Sequence, residues 1–174
     1  MAKETIEEYK TRISGMAAGK DPLKIQSTTI AHIERLIHGV SNEKLAQRPA
    51  PDKWSIAEIL AHLSETELVG GYRMRSVLGA PGCAIIGFDQ DGWASAGKYS
   101  KRDPHKSLQL FRVLREANLD LLASLDPPQW KHYGNHSERG EESIERIALM
   151  YAGHDLNHIS QIEAILGKTA SAAT

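Results

Sequence analysis

The segment "GHDLNHISQ" at 153–161 sets His154 and His158 four residues apart, between Tyr151 and Ile162. On a helix that spacing turns the chain by only about 40° and advances it one turn, so both imidazoles project the same way. The flanking apolar residues put them on the face that packs inward. Two buried rings in succession need two sets of hydrogen-bond partners where polar groups are scarce. One shared cation satisfies both, and neutral imidazole is a good ligand for zinc, nickel or iron. A third imidazole, His62, lies in "AEILAHLSETE" (57–67), at the edge of another apolar stripe. Three imidazoles from two helices form one face of a tetrahedron or octahedron. They leave positions open for water or substrate, as catalytic metal sites do. The alternative for the same residues is a set of core histidines, each satisfied by its own hydrogen bond.

Metal-bound imidazoles usually donate their second N–H to a carboxylate or carbonyl. Glu58 and Glu65, four before and three after His62, share its face, and Asp155 and Gln161 flank the other pair. These four are the candidates to orient the rings. Asp89, Asp91 and Trp93, in the Gly-rich stretch 80–103, are candidates for a pocket wall, with holding the loop together as their alternative role. His136, just ahead of the last helical segment, is a candidate to close over the pocket or to fill a structural place there. His32 falls on an apolar stripe and is assigned a core hydrogen bond. His38, His105 and His132 read as loop or surface residues.

Other chemistries fit less well. "HDLNH" resembles the zincin pattern, but Asp155 stands where the general-base Glu belongs and is one methylene short. A di-iron bundle needs Glu three residues before His on two helices, and no such pair occurs. "DQDG" at 89–92 begins like a calcium loop and lacks its later ligands. No serine sits in a nucleophile-elbow context. Cys83 reads as a small inert residue.

Helices must position these side chains. The first 20 residues form a thin amphipathic helix (Ile6, Tyr9, Ile13, Met16) ending near Gly19. Asp21-Pro22 and Asp103-Pro104 give two N-cap and first-turn signals. Ser55 and Glu58 form a capping box, Trp54 is placed to staple against Ile59, and the Gly70-Gly71 pair is placed to bend that helix. Gly39 and Gly167 stop two runs. No segment shows sustained period-two alternation, so no strand is expected. The predicted fold is all-α: a short N-terminal helix or extension (1–20), a four-helix bundle with long crossover connections (21–168) and a disordered tail (169–174).

The 174 residues are 41% hydrophobic and 25% charged, with 21 Lys+Arg against 22 Asp+Glu. That balance argues against a broad nucleic-acid surface. One cysteine rules out an intrachain disulfide and a Cys-rich zinc site. The N-terminus lacks the apolar run of a secretory signal, and no apolar run is long enough to span a bilayer, so the expected compartment is the cytoplasm.

Four stretches, "KWSIAEILAHLSETE" (53–67), "FDQDGWA" (88–94), "LFRVLREANLDLL" (110–122) and "HSERGEESIERIALMYAGHDLNHISQIEAIL" (136–166), resemble the DinB-like superfamily, also described through its YfiT-type metal-dependent hydrolases. Their order and spacing match over most of 20–167. The family pattern carries one His in the second bundle helix and HxxxH in the last, which correspond to His62, His154 and His158. The resemblance implies an unusually connected four-helix bundle, one divalent metal (nickel or zinc) and a homodimer. It also implies small-molecule substrates, since relatives include transferases that use low-molecular-weight thiols such as bacillithiol or mycothiol, and maleylpyruvate isomerase-like enzymes. The expected function is that of a metal-dependent small-molecule thiol-S-transferase or hydrolase. Its competitor is a non-catalytic metal-containing binding or stress-response module.

Overall fold

The computed structural model describes residues 4–167. The tail expected at 169–174 lies outside them. Helix α1 (Ile6–Ala17) opens on a Thr5–Glu8 capping box. Helix α2 (Pro22–Ile37) starts where Asp21 accepts from the Leu23 and Lys24 N–H groups. The connection after it carries a short α3 (Asn42–Ala46). Helix α4 (Ile56–Gly79) begins with the expected Ser55–Glu58 box. A short α5 (Gln90–Ala96) is capped by Asp89, and α6 (Pro104–Ala123) repeats the Asp-Pro start at Asp103. Helix α7 (Ile144–Leu166) is capped by Ser143 and ends at Gly167, in the left-handed conformation that glycine adopts without strain.

The bundle is α2, α4, α6 and α7. α2 packs on α7 and α6, and α4 packs on α6 and α7. The ring order is therefore α2–α6–α4–α7, with chain neighbours α2 and α4 on one diagonal and α6 and α7 on the other. Both diagonal connections, 38–55 and 124–143, must cross an end of the bundle, which explains their length. The apolar core lies in two parts. Ile33, Ile59, Leu60, Leu63, Phe111 and Ile162 fill one, and Met74, Val77, Leu122, Ile144 and Ile147 fill the other. No described helix is long and apolar enough to cross a membrane.

Two features depart from the sequence expectation, and a third, the Gly70-Gly71 pair, has a packing role that the sequence does not signal. A small sheet is present: β1 (Ala84–Ile85) pairs in parallel with β2 (Tyr133–His136), which pairs antiparallel with β3 (Gly140–Ser143). It ties the 80–103 segment to the second diagonal connection. Strands of two to four residues are too short to show an alternating pattern. Gly70 and Gly71 do not interrupt α4. A Cβ at Gly70 would stand 2.4 Å from the Tyr151 ring, and one at Gly71 would stand 2.5 Å from Asn118 Oδ1. The pair lets α7 and α6 side chains reach the α4 backbone. His32 lies off the buried stripe of Thr29, Ile30, Ile33, Leu36 and Ile37, half-exposed and 3.5 Å from Glu163.

Helix α1 is seated on α7. Ile13 and Ala17 are fully buried, and a Cβ at Gly153 would lie 2.0 Å from the Ile13 carbonyl oxygen. Only glycine admits that approach. Gly153→Ala must displace α1, and overpacking of this kind costs about 1–3 kcal/mol. The expected result is a melting temperature lower by about 2–12 °C and faster proteolysis within residues 4–20. An unchanged melt and digestion pattern would refute this seat for α1.

Candidate metal centre

The three histidines converge. His62 is carried by α4, and His154 and His158 by α7, one turn apart. His154 Nε2 lies 3.0 Å from His62 Nε2 and 3.0 Å from His158 Nε2. One ring nitrogen from each residue falls within 4.8 Å of the others. Metal–nitrogen bonds of about 2.0–2.1 Å place neighbouring ligand nitrogens about 2.8–3.4 Å apart, which the two close contacts match. Protons alone serve this arrangement poorly. Gln161 Oε1 accepts from His158 Nδ1–H at 2.9 Å, which leaves a lone pair on His158 Nε2. A single proton on His154 Nε2 can be given to one neighbour only.

The electrostatics favour the ligand state of imidazole. Burial, then the neighbouring His158, holds His62 well below the ordinary histidine range. Burial followed by His158 and His62 does the same to His154. Burial brings His158 down to about 4, against the opposing Gln161 hydrogen bond. All three are neutral at pH 7, with lone pairs available to a cation. The donor set, spacing and charge state therefore fit one divalent ion. Trp54 packs against the site, its ring 4.9 Å from that of His62 and tilted by 54° to it, rather than serving only as a staple at the start of α4. His62 Nδ1 is buried without a partner among the described residues.

The carboxylates expected beside the rings are engaged elsewhere. Glu58 accepts two hydrogen bonds from Arg48 and one each from the Ser55 N–H and hydroxyl. Glu65 pairs with Arg102 at 2.6 Å. Asp155 follows His154 by one residue, a turn of about 100° that carries it to another face of α7. There Arg115 donates to it at 2.6 and 3.0 Å and the Thr29 hydroxyl at 2.9 Å. Of the four candidates only Gln161 touches a site histidine. Asp89 caps α5 through the Asp91 and Gly92 N–H groups. His136 lies on β2, buried, its Nδ1 accepting from the Glu138 N–H and its Nε2 without a partner among the described residues. Burial first, then Arg139, lowers it to about 4.

Two cavities meet at the histidines. A cavity of about 650 Å³ is lined by Tyr9, Arg12, Trp54, Asp91, His154 and His158. A second, of about 400 Å³, is lined by His62, Thr66, Arg73, Phe88, Tyr151 and His154. Asp91 lines the larger cavity, and the N-terminal segment walls both, through Glu4 ahead of α1 and Tyr9 on it, a role for which the sequence carries no signal. Arg73 and the Arg115 network are the other unforeseen parts. Arg115 and Asn118 do stand on the stripe of α6, where a charge and an amide are the available sequence signal.

A four-helix bundle with diagonal crossings and a three-histidine centre defines a class, and the comparisons agree with it. Residues 27–162 match the sequence profile of the DinB superfamily, and the chain belongs to that superfamily. Its relatives include "Putative metal-dependent hydrolase YfiT" of Bacillus subtilis, 24% identical over 90% of this chain and 89% of that protein. A protein of Oceanobacillus iheyensis, also named "Putative metal-dependent hydrolase", is 23% identical over 76% of this chain and 77% of its own. The solved structure of B. subtilis YfiT, described as having "an unusual four-helix bundle topology", aligns with a TM-score of 0.77 at 17% identity. That alignment covers 97% of this chain and 93% of that one.

Proposed function

We propose that this chain is a metal-dependent enzyme acting on small molecules, with His62, His154 and His158 holding one nickel or zinc ion. The observation that carries the reading is that His154 lines both cavities. Ligand positions beyond the three imidazoles therefore open onto space of the size that takes a small molecule. The bound ion would supply positive charge that lowers the pKa of a thiol or a water presented to it.

The protein's own groups favour a thiol as nucleophile. Water activated in the zincin manner needs a carboxylate base at the metal. Here Asp155, Glu58 and Glu65 are committed to arginines, and Asp91 and Glu138, which line the cavities, make no hydrogen bond to a site histidine among the described residues. A thiol starts from a pKa near 8.5 and needs only the cation to ionise at neutral pH. Its sulfur forms the new bond to carbon as the bond to the leaving group breaks, and the thiol proton goes to solvent. Helix α1, Trp54 and the 80–103 segment line the cavities in which this reaction would take place.

The test is a rate panel on nickel- and zinc-loaded protein: several low-molecular-weight thiols with one electrophile, and ester and amide substrates without thiol. Thiol-dependent consumption of the electrophile, lost with chelator and in His158→Ala, is the expected result. Hydrolysis without thiol would make the chain a hydrolase. No rate above the His158→Ala background in either arm would replace catalysis with a binding role.

A further inference from the structure

Arg73 of α4 is 6% exposed, yet no carboxylate lies within ion-pair distance of it among the described residues. Its Nη2 donates to the Ile86 carbonyl at 2.8 Å, its Nε is buried with no partner among the described residues, and its guanidinium stands 5.8 Å from the Phe88 ring centre. Its charge is felt by the Tyr151 hydroxyl and by Glu142, whose direct ion pair is with Arg139. The other buried cations are treated differently. Arg115 has Asp155 and Glu67, and Arg139 has Glu142. A guanidinium removed from water without a counter-ion is costly, and a site that tolerates one usually meets an anion. Arg73 lines the smaller cavity, the one that ends at His62 and His154. The wall also carries Phe88, Tyr151 and Met150, the Thr66 hydroxyl towards His62, and a second cation, Arg139, which Glu142 already neutralises. Glu138, also on the wall, rests its carboxylate against Gly87 and makes no ion pair among the described residues.

We propose that Arg73 is the anion-binding end of the substrate site and takes a carboxylate of the small molecule whose other end reaches the three histidines. A planar carboxylate matches a single guanidinium fork. A dianionic phosphate would be disfavoured more than a carboxylate by Glu138 on the same wall, while Glu4 there is neutralised by Arg12. Eleven residues separate His62 from Arg73. That is about 16 Å along the helix, and because the arginine chain leaning towards the helix N-terminus is longer than the imidazole that leans the same way, the gap shortens to roughly 12–15 Å, which a metal–sulfur bond, the ligand and the guanidinium hydrogen bonds span together. The ligand is therefore an elongated molecule with a carboxylate about six bonds from its reacting atom. The proposal rests on the metal-site reading only for that far end.

Calorimetric titration of zinc-loaded protein with 6-mercaptohexanoate and with 6-mercapto-1-hexanol tests it. The carboxylate is expected to bind about 10- to 100-fold more tightly. Chelator-treated protein should bind both more weakly and keep the preference. Arg73→Gln should abolish the preference and Arg73→Lys should retain part of it. Equal binding of the two thiols by zinc-loaded wild type, or a preference that survives in Arg73→Gln, would overturn the anion site and leave the metal reading intact. A preference that persists while zinc tightens neither thiol would uphold the anion site and remove the metal from thiol binding.

Discussion

Replacing Arg115 with methionine is expected to lower the melting temperature by about 6–20 °C. Its side chain is 2% exposed and holds three helices together. Its Nη1 donates to Asp155 on α7 and to the Gln26 carbonyl on α2, and its Nη2 to Glu67 on α4 and again to Asp155. Asn118 adds bonds to the Glu67 side chain and carbonyl, and Gln26 donates to the Ala148 carbonyl. Burial works against the guanidinium charge, but Asp155 and Glu67 raise its pKa above the ordinary arginine value. Without Arg115 two buried carboxylates lose their cation. Breaking a buried pair from one side costs about 3–5 kcal/mol, and a chain of this size loses about 2–4 °C per kcal/mol. Adding Glu67→Gln and Asp155→Asn to Arg115→Met should recover more than half of the loss, because the uncompensated charge is removed with its partner. Thermal melts followed by circular dichroism decide it. A single variant melting within 2 °C or so of wild type would show that the network does not hold the bundle.

That network also marks where sequence reading stops. Helix starts are legible because capping is local: Asp21, Ser55 and Asp103 each bind N–H groups two or three residues ahead. The histidine pair is legible because i, i+4 fixes direction within one helix, and His62 because it borders an apolar stripe in mid-helix. The family resemblance places the same three residues together. What escapes is azimuth set by other helices. Asp155 sits inside the HxxxH motif yet faces Arg115, since the next residue on a helix turns by about 100°. Glu58 and Glu65 share His62's helix, but Arg48 and Arg102 arrive from connections whose path no periodicity records. The seat of α1 depends on a single missing Cβ at Gly153, which reads in sequence as one more glycine. The ring order that puts chain neighbours on diagonals has no local signature either. It shows only as two long connections.

Zinc or nickel is expected to raise the melting temperature of the chelator-treated protein by about 5–11 °C, and His154→Ala to abolish that rise. A ligand that binds only the folded state adds about 2.7 kcal/mol at a hundred times its dissociation constant, and the temperature scale for this chain length follows. His154 is the variant of choice because its Nε2 faces both other rings. Bound metal should fall from about one ion per chain to below about 0.1. Metal-free His154→Ala should melt no lower than the metal-free wild type. It removes an imidazole that cannot serve both neighbours, from a place bordering two cavities rather than a packed core. Gln161→Ala separates orientation from ligation: its carbonyl holds the His158 tautomer, and losing such a partner typically weakens metal binding about 10- to 100-fold without eliminating it. An equal metal-induced rise in wild type and His154→Ala would place the ion elsewhere and dissolve the site. A rise lost in His154→Ala, reduced in Gln161→Ala and reversed by chelator is the pattern that three imidazoles around one ion require.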